Sequence, residues 1–352
     1  MDTTKGVGIF LIGLIVTASA VAGQPRAVKP FEDVRFKDLK ALKWAVDPAV
    51  VRTLWFNEKT VWPDARASLA RSVLRKAKNP GLKLRSLHAR GLTGKGVTAA
   101  IIDQNMFLDH PEYAGKIIAY KDFGCGAAVA TGSMHGPAVA SLLVGKTIGA
   151  APGARLYYAA VPSWLADARY YARAMDWMVA ENAKLPAGSK IRVVSISAAP
   201  SGASSFYKNK KTYEAARARA EKARILVMDC TDERCFTNAA FYNINAPDDL
   251  SQCKLGFPKY PGPSGTENLY IPSTRRTQAE EYEKGACSYQ YTGSGGLSWT
   301  VPTLAGVLAL GWQVNPSLSG AEIIRRAKSS AYLKNGKYMI IDPEAFVAAA
   351  GE

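Results

Sequence analysis

Only three histidines occur in the 352 residues, and no cysteine pair has CxxC spacing. The five cysteines, Cys125, Cys230, Cys235, Cys253 and Cys287, therefore outline no zinc site. Their odd number leaves the connectivity open, with room for one or two disulfides in an exported protein. No repeat period marks a solenoid or propeller, and no low-complexity tract points to extensive disorder. A long basic run is also missing, although the formal charge is +16. Short clusters at Arg71–Lys76 and Lys208–Lys211 read as solvated helix faces and loops, so no nucleic-acid partner is expected. A charge of this sign suits work near an anionic cell envelope. No apolar run is long enough for a comfortable membrane span. The nearest, Gly6 to Ala22 behind Lys5, ends in Ala20-Val21-Ala22 before Gly23, the small-x-small form of an export cleavage site. Asp2 offsets Lys5, which leaves an uncleaved anchor as the alternative. Residues 1–22 thus read as a signal peptide or membrane anchor, and the expectation is export, secreted or anchored at the cell surface.

What is present divides in two. Residues 23–80 mix Pro, Lys and Arg with Trp44, Trp55, Phe56 and Trp62, and apolar spacing predicts a helix from Asp64 to Lys78. This N-terminal extension is either a removable pro-segment or an arm that stays packed on the main domain. From residue 81 to 352, short apolar runs alternate with helical stretches. Val97–Ile102, Arg155–Val161, Ile191–Ile196 and Ile225–Met228 are nearly continuous in apolarity, as strands covered on both faces should be. Pro137–Val144, Ala166–Asn182 and Thr212–Ala223 have helical periodicity. The fold class is therefore α/β, a mainly parallel twisted sheet with helices on both faces. Cys230–Gly293, rich in Pro, Asn, Gly and Thr, is expected to form long loops with room for a hairpin. Beyond it, Trp299–Trp312 is helical in spacing, Ser319 suits a cap for Ala321–Ser330, and Tyr338–Ile341 reads as a short closing strand.

Serine hydrolysis needs a hydroxyl, an imidazole to take its proton and a carboxylate to orient that imidazole. Of the three histidines, His88 precedes the first strand and His110 sits in a loop. His135 alone opens a predicted helix, where Gly136 admits close backbone approach and Pro137 suits the first turn. Asp103 terminates the first strand, at the carboxyl edge where such sheets place ligands. Ser298 follows Gly293-Ser294-Gly295-Gly296-Leu297 and runs into a helix, so it can present its hydroxyl beside free backbone donors or act as an ordinary cap.

The stretch Gly94-Lys95-Gly96-Val97 through Ile101-Ile102-Asp103, continuing to His110-Pro111-Glu112, resembles the approach to the catalytic Asp of the subtilisin-like serine peptidase family. His135-Gly136-Pro137-Ala138-Val139-Ala140 is similar to that family's His motif, and Gly296-Leu297-Ser298-Trp299-Thr300-Val301-Pro302 to its Ser motif. The Asp, His, Ser order is the one known for subtilisin. The likeness runs from about residue 81 to the end and implies a serine endopeptidase acting on peptide or protein substrate through Asp103, His135 and Ser298, with no cofactor or catalytic metal. Relatives hold structural calcium, for which no ligand set is recognisable here. The resemblance further implies that Val194–Gly202 is an edge strand to which substrate adds, with Ser195, Ser197, Ala198 and Ala199 as contacts and Trp164 as another. Where the family has an oxyanion-hole Asn, this chain offers Thr231 or Asp232, the latter useful only if burial keeps it neutral. Gln104-Asn105, Ala138, Trp299 and Thr300 depart from the family pattern. They leave room for a catalytically silent, peptide-binding copy of the fold.

Overall fold

The computed structural model describes residues 27–42, 47–126, 131–197, 200, 206–230, 232, 234–256 and 267–352. The chain enters through α1 (Pro48–Val51), β1 (Trp55–Asn57) and α2 (Asp64–Lys76). Helix α2 forms because Ala70, Val73 and Leu74 fall on one stripe with Ala77, and all four are buried. A short α3 (Leu84–Ala89) then leads into the main sheet.

That sheet is built from β2 (Thr98–Asp103), β3 (Ile117–Asp122), β4 (Arg155–Ala160), β5 (Ile191–Ile196) and β6 (Leu226–Asp229). All five strands run parallel, in the order β3-β4-β2-β5-β6. Successive residues point to opposite faces, so Ala99 and Ile101 join one core while Ala100 and Ile102 join another. The first core is covered by α4 (His135–Val144) and α7 (Thr300–Val314). The second lies beneath α5 (Ala168–Lys184) and α6 (Lys210–Lys222). Four of these strands are the ones apolarity predicts; β3, a partly exposed edge strand, has no comparable run.

The expectation of loops over Cys230–Gly293 is corrected by five strands: β7 (Thr237–Phe241), β8 (Lys254–Leu255), β9 (Leu269–Thr274), β10 (Arg276–Glu280) and β11 (Ser288–Thr292). Their buried positions hold Arg276, Thr277, Gln278, Glu280 and Gln290. Several of these polar groups bond one another or nearby backbone, as when Gln278 Nε2 donates to Thr292 Oγ1 at 2.9 Å and Thr277 Oγ1 to the Leu74 carbonyl at 2.7 Å. Strands β10 and β11 take up β1 as a third, antiparallel member. Strands β7, β8 and β9 form a separate sheet with β12 (Tyr332–Lys334) and β13 (Tyr338–Ile340). Ser319 does cap α8 (Gly320–Ser329), in a reciprocal box with Glu322, and α9 (Pro343–Gly351) closes the chain.

All five cysteines are free thiols, so neither of the disulfides allowed for above is present. Burial pushes the Cys125 and Cys253 thiols up to about 12, which suppresses thiolate chemistry. Among the described residues no helix is long and apolar enough to cross a membrane. The export segment 6–22 lies outside them.

Candidate active site

Strand β2 delivers Asp103, wholly buried, to the carboxyl end of the sheet. Helix α4 begins at His135 and brings its ring to that carboxylate, with Nδ1 2.6 Å from Asp103 Oδ1. A carboxylate can only accept, so this bond requires the proton on Nδ1 and leaves Nε2 of a neutral ring free to accept one. Asp103 Oδ1 also accepts the Gln104 backbone N–H at 2.8 Å, which fixes the carboxylate's rotamer.

The approach of α4 depends on Gly136. A β-carbon there would lie 2.7 Å from the Gln104 carbonyl oxygen, 2.7 Å from the Tyr158 hydroxyl and 2.9 Å from the Asn105 carbonyl oxygen. The preceding turn is tied down as well. Ser133 N donates to the Asn105 carbonyl at 3.2 Å, and Ser133 Oγ accepts from Gly136 N at 3.0 Å. The other two histidines serve structure: His88 Nε2 meets the Ala150 carbonyl at 3.0 Å and His110 Nε2 the Ser288 carbonyl at 3.1 Å. Burial lowers the pKa of both rings.

Ser298 lies in a short 3-10 turn, Leu297–Trp299, that feeds α7. Its hydroxyl donates to the Ser197 carbonyl at 3.0 Å, while Ser197 Oγ donates back to the Ser298 carbonyl at 2.8 Å. Ser298 and His135 share no hydrogen bond in this arrangement. The turn that carries Ser298 nonetheless touches the ring, because the indole of Trp299 stacks on His135, with centroids 5.2 Å apart and planes 29° apart. The site is thus a bonded Asp–His pair with a serine one residue from the indole that packs on it. Trp299, a departure from the family pattern, meets the imidazole only because the fold brings the Ser298 turn against α4.

Two expectations are corrected. Strand β5 is not an edge: Ser195 lies between Ile101 of β2 and Met228 of β6, so its backbone has no open side for substrate. Only residues past Ile196 can do that work. Ser197 is one of them, and Ala198 and Ala199 lie outside the described residues. Asp232 is not a neutral donor. It is 1% exposed and gripped by Arg217 Nη1 at 2.6 Å and Arg234 Nε at 2.8 Å, with Arg234 Nη2 on its other oxygen. Burial alone would raise this carboxyl, but the hydrogen bonds from Arg234 and the charge of Arg217 outweigh it and hold the group well below the usual carboxylate range. The other oxyanion candidate, Thr231, lies outside the described residues.

Trp164 is 45% exposed in a 3-10 turn, Ser163–Leu165, just beyond β4. Gln104, next to Asp103, donates through Nε2 to Ser163 Oγ at 2.6 Å, which places that turn on the same sheet edge. Leu165 and Phe206 are also about half exposed. The segments carrying them are joined where Lys208 N donates to the Ala166 carbonyl at 2.8 Å.

No family model matches the sequence, and no curated protein matches it. Solved structures do. The chain superposes on fervidolysin from Fervidobacterium pennivorans, a keratinolytic enzyme related to subtilisin, with TM-score 0.56 and 16% identity over 76% of its length. It spans only 45% of that protein. A protease from Pseudoalteromonas arctica PAMC 21717 gives TM-score 0.57 and 19% identity, covering 78% of this chain and 95% of the other. The prenylagaramide maturation protease PagA gives 0.53 and 13%, covering 76% and 98%. The fold is subtilisin-like. The parallel five-stranded sheet with helices on both faces is the shared part.

Proposed function

We propose that this chain is a serine endopeptidase. The observation that carries the reading is the 2.6 Å bond between His135 Nδ1 and Asp103 Oδ1 at the carboxyl edge of the parallel sheet, beside the turn that holds Ser298. In this reading the Ser298 hydroxyl leaves the Ser197 carbonyl, turns to His135 Nε2 and attacks the scissile carbonyl carbon as its proton passes to the ring. Asp103 holds the resulting imidazolium. The proton then goes to the leaving amine, and water, deprotonated by the same ring, hydrolyses the acyl-enzyme. The backbone N–H of Ser298 supplies one oxyanion donor. With Asp232 committed to two arginines, Thr231 is the side chain left to supply a second. Substrate lies extended past Ile196, and exposed Trp164, Leu165 and Phe206 favour apolar side chains next to it.

A second reading has its own support. The Ser298 hydroxyl is engaged with Ser197, as it would be in a silent copy of the fold that holds peptides without cutting them. Digestion of an unfolded protein separates the two. The wild-type chain is expected to cleave it, and Ser298→Ala to lose about 10⁴-fold or more in kcat while still binding the peptide. Peptide capture by both proteins with no cleavage by either would favour the silent reading.

A further inference from the structure

We infer that the extension from residue 27 to 80 is a permanent part of the catalytic unit, and that Arg35 within it positions His135. This rests on the peptidase reading for what the positioning is for, but not for the geometry.

The extension is built into the fold. Trp55, Phe56 and Asn57 pair in register with Thr292, Tyr291 and Gln290 of β11. Phe56 and Tyr291 are both buried, in one small core with Val34, Leu54 and Val73. Thr277 N donates to the Ala77 carbonyl at 3.0 Å, and Gly293 N to the Leu54 carbonyl at 2.9 Å. Gly293 can carry no side chain, since a β-carbon would come within 2.3 Å of the Thr53 backbone. Cutting this segment away would strip β11 of a strand partner and expose the polar interior of the β10–β11 pair, which no pro-segment meant for release would require.

From that base Arg35 reaches toward the site. Its guanidinium lies 3.8 Å over the Trp55 ring and forks onto Asp33, with Nη2 2.7 Å from Oδ2. The remaining nitrogen, Nη1, donates to the Tyr282 hydroxyl at 2.8 Å and to Gln290 Oε1 at 3.2 Å. Phe36 packs edge-on against the same tyrosine, centroids 5.4 Å apart. The Tyr282 carbonyl in turn accepts the Gly132 N–H at 2.8 Å, and Gly132 sits so close that a β-carbon would be 2.0 Å from the Glu281 carbonyl oxygen. Gln290 Nε2 reaches the Met134 carbonyl at 3.5 Å. The turn 132–134 that ends at His135 is therefore held from two sides. Asn105, two residues past Asp103, holds one, and Tyr282 with Gln290 hold the other, Tyr282 bonded by Arg35 and Gln290 by Arg35 together with Trp55 Nε1 at 2.8 Å.

The test uses the full chain with Arg35→Gln, Arg35→Lys and a control, Val51→Ala, which weakens the same small core away from this network. Arg35→Gln is expected to lower kcat by about 10- to 100-fold with KM little changed, as for a misplaced general base. Arg35→Lys, which keeps the charge but cannot fork, should fall between. Val51→Ala should lower Tm and leave kcat alone. The proton NMR signal of His135 Nδ1–H, bonded to Asp103, should shift or broaden in Arg35→Gln and stay sharp in Val51→Ala. Mass analysis of the active protein should find residues 27–80 still attached. Full activity in a species that lacks them, or a wild-type kcat and His135 signal in Arg35→Gln, would overturn the inference. If the wild-type chain has no activity, the peptidase reading fails instead, and the His135 signal still decides whether Arg35 positions the ring.

Discussion

Asp232 shows how much a residue's role depends on what folding brings to it. In sequence it is a turn carboxylate near Arg234; Arg217, fifteen positions earlier on α6, becomes its partner only in three dimensions. Its carboxyl is held low in the folded state, so its contribution to stability is whole above the unfolded value of about 3.9 and is lost as pH falls from there toward the native value. Asp232→Asn removes a charge facing buried Arg217 and exposed Arg234 and should cost about 3 kcal/mol near neutral pH. In thermal melts the gap to wild type should be widest above about pH 5 and narrow below about pH 4. A gap that is small, or that does not change with pH, would show that the carboxylate is not paired as described. The three proposed catalytic residues, by contrast, sit on features with a local signature: Asp103 ends β2, His135 opens α4 and Ser298 lies in the turn before α7.

At the scale of elements, the parallel sheet was readable because β2, β4, β5 and β6 are buried on both faces and so nearly continuous in apolarity. Strands β7 to β11 were not. The interior of β10 and β11 holds Arg276, Gln278, Glu280 and Gln290, and Arg276 and Gln290 bond groups far away in sequence, which no local pattern announces. The position of β5 between β2 and β6 was hidden for a related reason, since strand order is a tertiary property. Helix α4 offers a direct check on how an element places a functional group. Gly136→Ala forces the helix off the 104–105 turn, because two of its close neighbours are backbone carbonyls. The expected result is a kcat lower by about 100-fold with the fold retained, as circular dichroism would register. Unchanged turnover would mean that the seat of α4 does not control His135.

Over the whole molecule, the extension, the β10–β11 pair and the parallel sheet converge on one turn and one sheet edge. The net charge of +16 does not mark that edge. Arg71, Arg75 and Lys76 lie exposed along α2, as a solvated helix face would place them. Work near an anionic cell envelope remains a proposal that this distribution permits. The proposed function requires that Asp103, His135 and Ser298 act as one nucleophilic device. Exposure of the folded chain to a fluorophosphonate, followed by mass mapping of the adduct, addresses it most directly. The account predicts a single adduct on Ser298 that disappears in His135→Ala and is strongly slowed in Asp103→Asn. A folded wild-type chain that takes up no label, or takes it up equally well without His135, would contradict it.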